Sequence, residues 1–250
     1  MITSSKPSDW QALQSDIGMI LKQRGFNVEI EKKIETARGE VEIDVYAEET
    51  VKGRKYLIVC ECKYWKSRVP QSIIHSFRTV VSDIGANIGY IISLSGFQSG
   101  AFDASDLTNI ELVTWEQFQD AFCETWLEKY LSPVITKELD PILGYTEPLV
   151  QKWMCEVPDH EVSIIKSLRE KYQDFGILMM MFTPYSAFLR ATGFPKLPLR
   201  DLLKRDSLSL DKIPSEIIDA KGYREFLDAC MEYGLKGISE FKTVKERNNV

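Results

Sequence analysis

The stretch YLIVCECKYW, residues 56–65, opens as an apolar β-strand and then places Glu61 and Lys63 inside the same run. Charged side chains are seldom buried unless something pairs with them. Strand side chains alternate faces, so Glu61 and Lys63 point the same way. The preceding segment GEVEIDVYA, residues 39–47, offers a partner. There Val41, Ile43 and Val45 make one face, and Glu40, Glu42 and Asp44 make the other. If the two strands pair, Asp44 sits beside Glu61, and one end of a sheet carries two carboxylates and a lysine.

Two adjacent carboxylates repel, and the pKa of one rises unless a cation compensates. A hard divalent ion is the economical solution, since Mg²⁺ takes one or two carboxylates together with water and phosphate oxygens. A lysine beside that ion can orient or polarise an attacking water, while the metal bears the charge developing on phosphorus. The trio therefore suits phosphodiester hydrolysis. The plainer reading is a cross-strand ion pair between Asp44 and Lys63, with Glu61 turned to solvent.

The order of elements decides between them. SDWQ looks like a capping box, with Ser8 as N-cap and Gln11 three residues on, before Trp10, Leu13, Ile17, Ile20 and Leu21 at helical spacing. Gly25 supplies a stop. Two alternating segments around Ala37-Arg38-Gly39 read as strands, and the opening stretch is a third. Pro70 fits the first turn of a helix with Ile73, Phe77, Val80 and Ile84 on its apolar face. Gln71, His75 and Arg78 fall on its polar face. Residues 88–94, IGYIISL, read as a buried strand with helices on both sides. A short helix, the strand IELV and a capping box of Thr114 and Gln117 follow.

Beyond residue 130 the pattern is helix after helix, punctuated by prolines. This divides the chain into an α/β domain over 1–130 and an all-α domain over 131–250. The Met-rich segment 175–203 reads as helical core.

Net charge is -6, which does not advertise nucleic-acid binding, yet residues 52–68 hold six Lys or Arg against one Glu. Five scattered cysteines argue against a disulfide framework, and the C-x-C of Cys60 and Cys62 reads as small buried residues. The N-terminus lacks the apolar core of a secretion signal, and no apolar run is long enough to span a bilayer. The expectation is a cytoplasmic protein without membrane contact.

Asp44 followed by Glu61-Cys62-Lys63 resembles the D…(D/E)-x-K signature of the restriction-endonuclease-like superfamily, and in detail the Mrr-type restriction endonucleases. The resemblance runs through GEVEIDVYA, YLIVCECKYW and GANIGYIISLSGFQSGAFDAS and covers about residues 10–120. It implies a mixed central sheet flanked by helices, followed here by the C-terminal all-α domain. It further implies Asp44, Glu61 and the Cys62 backbone carbonyl as ligands of Mg²⁺, with Mn²⁺ as a substitute, and Lys63 serving the water. Gln71 would join them, and Asp16 takes the place of a first-helix acid that is usually Glu. Lys66, Arg68 and Arg78 are candidate phosphate contacts. The implied activity is DNA cleavage in restriction or anti-phage defence. A homodimer would cut both strands, and a defence-system partner would bind the helical half. Two alternatives stay open: a non-catalytic nucleic-acid-binding or assembly subunit, and a nuclease acting on RNA or branched DNA.

Overall fold

The computed structural model describes residues 1–200 and 210–248, so the end of the Met-rich segment, residues 201–203, lies outside the described residues. The chain forms two compact units, residues 5–129 and residues 1–4 with 130–250.

In the first unit, α1 (Trp10–Gln23) buries Leu13, Ile17, Ile20 and Leu21 completely, while Trp10 stays exposed. Its N-cap is Asp9 rather than Ser8. The Asp9 carboxylate accepts the Ala12 N–H at 2.7 Å, and Ser8 donates its hydroxyl to that carboxylate. A carboxylate at the positive end of a helix is favoured by the exposed amides and the helix dipole together.

β1 (Asn27–Thr36), β2 (Gly39–Val51) and β3 (Arg54–Lys63) pair antiparallel. Gly39, at φ +113°, makes the turn between the first two strands, a conformation that favours glycine. β4 (Ile88–Ser93) and β5 (Ile110–Thr114) then add parallel to β3, giving a mixed five-stranded sheet in the order β1-β2-β3-β4-β5. Parallel neighbours need crossover connections, and the intervening helices provide them.

α2 (Gln71–Asp83) packs one face of the sheet through Ile74, Phe77 and Val81. Its buried stripe is rotated by about one residue from the Ile73, Val80, Ile84 face expected from sequence, and those three are only half-buried. Pro70 is the N-cap itself, outside the first turn. Gly89 on β4 permits the close approach of α2. A Cβ there would fall 2.7 Å from Val81 and 2.9 Å from Phe77. α3 (Ser99–Ser105) lies beside α2 and also covers this face. α4 (Trp115–Trp126) opens with the expected capping box: Gln117 N–H donates to Thr114 Oγ1, and Thr114 N–H to Gln117 Oε1.

The second unit has no strand among its described residues. Its longest helices are Asp159–Met180 and Tyr223–Arg247. Gly234 and Gly237 let the latter approach closely: a Cβ at Gly234 would meet Leu139 at 2.6 Å, and one at Gly237 would meet Ile142 and Tyr172 at 2.9 Å. Phe175, Leu178, Met179 and Phe182 are fully buried, so these residues of the Met-rich segment are core. Among the described residues, no helix is long and apolar enough to cross a membrane.

Candidate active site

The ladder between β2 and β3 is recorded as far as Val45 opposite Cys60. One step further, the same register sets Asp44 opposite Glu61, at the end of β3 where the chain leaves the sheet. The alternation breaks at this point. Ile43 and Tyr46, of opposite parity, both pack into the core beneath α2, and Val45, Tyr46 and Ala47 are all buried. Asp44 lies between Ile43 and Val45 and reaches across to the neighbouring strand. Its Oδ2 accepts the Cys62 backbone N–H at 2.7 Å.

Strand residues alternate which neighbour their backbone faces. Leu57 O accepts the Asn87 N–H and Lys63 O the Leu94 N–H, both toward β4. The Cys62 N–H and C=O consequently face the β2 side, toward Asp44. Glu61 and Lys63 are bonded to each other, Lys63 Nζ donating to Glu61 Oε1 at 2.5 Å. Their side chains are 24% and 15% exposed, so the pair is largely withdrawn from solvent. The same ammonium lies 5.0 Å from the centre of the Trp65 ring.

Both carboxyls are held above the ordinary carboxylate range. For Asp44 the main cause is burial, which the Cys62 amide, the Lys63 charge and a hydrogen bond from the Gln14 side chain oppose, while Glu42 adds to it. For Glu61 burial again leads, the negative charge of Asp44 adds to it, and Lys63 opposes both. Two acids thus compete for one cation, and the shortfall is one positive charge. The Cys62 thiol is pushed well up by burial and stays protonated.

Gln14 is the residue that sequence reasoning missed. It lies on the buried face of α1, next to Leu13 and one turn before Ile17, and is only 5% exposed. A polar side chain in an apolar stripe needs a partner, and that signal was available. Asp16, the expected acid of this helix, is two residues on and so about 200° round the axis from Gln14.

Gln71 opens α2 and shares a 3.0 Å hydrogen bond with the His75 ring. Lys66 and Arg68 are exposed in the loop that follows β3. That loop is anchored: the Val69 N–H donates to Gly96 O, the Gln98 N–H to Val69 O, and Ser95 Oγ to Trp65 O. Arg78 is exposed on α2 and donates to Ala104 O at 3.2 Å.

The donor set suits a hard cation. Among the described residues, no group of three His, Cys, Asp or Glu side chains could hold a metal. The two carboxylates and the inward-facing Cys62 carbonyl are what one Mg²⁺ takes when water and phosphate oxygens complete its shell.

Residues 6–122 match the family model Mrr_cat, described as a restriction endonuclease. No curated protein matches the chain. Among solved structures, the chain is similar to a crystal structure described as protein of unknown function AF1548. The TM-score is 0.39 and the identity 14%, over 92% of this chain and 99% of that one. The segment matched by the family model takes in α1, the whole sheet and most of α4, and over it the chain is similar to the Mrr-type restriction endonucleases.

Proposed function

We propose that the chain is a Mg²⁺-dependent endonuclease that hydrolyses DNA phosphodiester bonds, in restriction or anti-phage defence. One observation carries this reading: Asp44 and Glu61 share a single lysine at the open end of β3, and both carboxyls are raised by burial. Asp44, Glu61 and the Cys62 carbonyl would hold the ion, and Mn²⁺ would substitute for Mg²⁺. When bound, the ion supplies charge to the scissile phosphate and lowers the pKa of a water.

The chain's own residues then have distinct tasks. The Cys62 amide and Gln14 fix the Asp44 carboxylate, so that it is presented without a search over rotamers. Lys63, released from Glu61 when another cation arrives, would hold the attacking water or a phosphate oxygen. Trp65 keeps that ammonium close to the strand end. Lys66 and Arg68, on the anchored loop, would contact phosphates beside the cut. Gln71 would act from the start of α2 as a neighbouring polar contact. Asp16 has a weaker claim as a ligand, because Gln14 occupies the side of α1 that reaches Asp44.

Residues 131–250 lie outside the matched segment, and this reading assigns them to recognition of substrate or of a defence-system partner. One site cuts one strand, so cleavage of a duplex calls for a homodimer or for two encounters.

Cleavage of supercoiled plasmid by the full chain should require Mg²⁺ and stop with EDTA. Lys63→Ala should lower the rate on the order of 10²–10⁴-fold, the usual contribution of a positioned proton-transfer group. Activity that survives both treatments removes this mechanism. Cleavage of RNA or of branched DNA in preference to the plasmid reassigns the substrate.

A further inference from the structure

The nuclease unit also holds a trough of about 670 Å³, lined by three segments distant in sequence. The β1–β2 turn contributes Arg38, α2 contributes His75, Arg78, Thr79 and Ser82, and the loop between α3 and β5 contributes Leu107, Thr108 and Asn109. The lining offers two guanidiniums, an imidazole and hydroxyls, and no carboxylate. Two acids stand at its edge: Asp83 pairs loosely with the lining Arg38, at 3.7 Å, an ion pair that a phosphate would have to displace, and Asp106 accepts the Leu107 N–H at 3.0 Å.

The contacts follow a stripe. Gln71, His75, Arg78 and Ser82 recur every three or four residues, so they fall on one side of α2. They extend roughly 16 Å from the start of the helix, at about 1.5 Å per residue. The stripe begins eight residues after Lys63, and the hydrogen bond between Gln71 and His75 joins its first two members.

Leu107, on the rim, is the second observation. It is 99% exposed and holds φ +53°, a left-handed conformation that leucine disfavours. Neither burial nor backbone preference explains a leucine there. The loop is nonetheless fixed, Thr108 Oγ1 donating to Ser105 O at 2.6 Å and accepting the Ile110 N–H at 3.2 Å. Strain held in place at a surface is a mark of use. Apolar wedges beside arginines are how proteins press into a DNA groove. Small-molecule pockets are mostly apolar and enclosing, and this lining is polar and largely exposed.

We propose that the trough is a second nucleic-acid contact, in which Arg38, His75 and Arg78 grip duplex phosphates away from the cut and Leu107 rests against the groove. It deepens the nuclease reading and rests on it.

The test measures binding, not cleavage. The full chain carrying Lys63→Ala, in which cleavage should be strongly slowed, is titrated with a labelled 30-base-pair duplex in Mg²⁺ at several salt concentrations. Adding Arg38→Ala and Arg78→Ala should weaken binding at least about tenfold and reduce the salt slope by about two, one for each lost phosphate contact. Ser82→Asp, at an exposed helical position, should weaken binding without touching the core. Leu107→Gly should weaken binding and yet raise thermal stability, because glycine accepts the positive φ. Parental affinity and salt slope in these variants overturn the proposal and leave the nuclease reading standing. Binding of inorganic phosphate without any effect on duplex affinity also overturns it. A parent that binds no duplex at all brings down both.

Discussion

Glu61 and Glu161 are both sunk into the protein, and their surroundings are opposite. Glu161 stands in the first turn of helix Asp159–Met180 with its side chain 4% exposed. Arg247 donates to it at 2.5 Å from the end of helix Tyr223–Arg247, and His160 lies 3.6 Å away. One acid meets one guanidinium, at a helix N-terminus that itself favours negative charge. Glu61 instead shares Lys63 with Asp44, two acids against one ammonium, and both carboxyls are raised. The first arrangement is closed and holds two distant helices together. The second is left short of positive charge at an open strand end, which costs stability and is useful only if a cation arrives.

The largest expected effect comes from opening the closed pair. Arg247→Met leaves the Glu161 carboxylate buried with little to offset its charge. Losing a hydrogen bond to a charged group should cost about 1.5–3 kcal/mol of the stability of the helical unit. Adding Glu161→Leu should recover most of that, since a buried ion pair replaced by apolar side chains is often neutral. Urea unfolding of the two variants measures both steps, and a double variant no better than the single one would show that the pair does more than neutralise charge.

The opposite response is expected at the open site. Both carboxyls bind protons more tightly in the folded protein than in the unfolded chain. At low pH both states are protonated and nothing is lost. As pH rises from the ordinary carboxylate value through the raised folded values, the unfolded chain releases its protons first, so stability falls across that window. Above it the loss is constant. Asp44→Asn with Glu61→Gln should therefore stabilise the metal-free protein at pH 7 and flatten the acid-side slope. Mg²⁺ should raise the melting temperature of the parent and leave the double variant unmoved. A melting temperature that falls in the double variant, or a parent indifferent to Mg²⁺, breaks the contrast with Glu161.

The two regions also differ in how far they could be read from sequence. The strands themselves were legible from the alternation that opens residues 39–47 and from the interrupted run 56–65, whereas the mixed sheet was expected from the family resemblance alone and the alternation fails at Val45, Tyr46 and Ala47, which are all buried. The Thr114–Gln117 capping box was legible because it is wholly local. Legibility fails where a side chain competes with its neighbour at one-residue resolution. Asp9 displaces Ser8 as cap, and α2 turns its buried stripe from Ile73 to Ile74, both decided by tertiary fit. It fails again where partners are far apart. Arg247 and Glu161 are 86 residues apart, and Arg38, His75 and Leu107 share a trough that no local pattern announces. Gln14 lies between these cases, since its place in an apolar stripe signals a need for a partner without naming Asp44.

Gln14 yields the smallest and most specific prediction. Its side chain hydrogen-bonds the Asp44 carboxyl and helps hold down a pKa that burial raises. Gln14→Leu exchanges that bond for apolar burial among Leu13 and Ile17, so the change in stability should stay within about 1 kcal/mol. The effect on the site should be larger than the effect on the fold. Without the amide, the protonated form of Asp44 gains, and only the ionised form can bind a cation. The acid limb of the cleavage pH profile should shift upward and half-saturation by Mg²⁺ should need more metal near neutrality, with the maximal rate nearly unchanged at higher pH. Gln14→Glu adds a third negative charge beside Asp44 and should move the limb further in the same direction unless the new carboxylate itself ligates the ion, in which case Mg²⁺ affinity rises instead. A Gln14→Leu profile that coincides with the parent would mean that the Cys62 amide alone fixes Asp44, and that α1 serves the sheet only by packing.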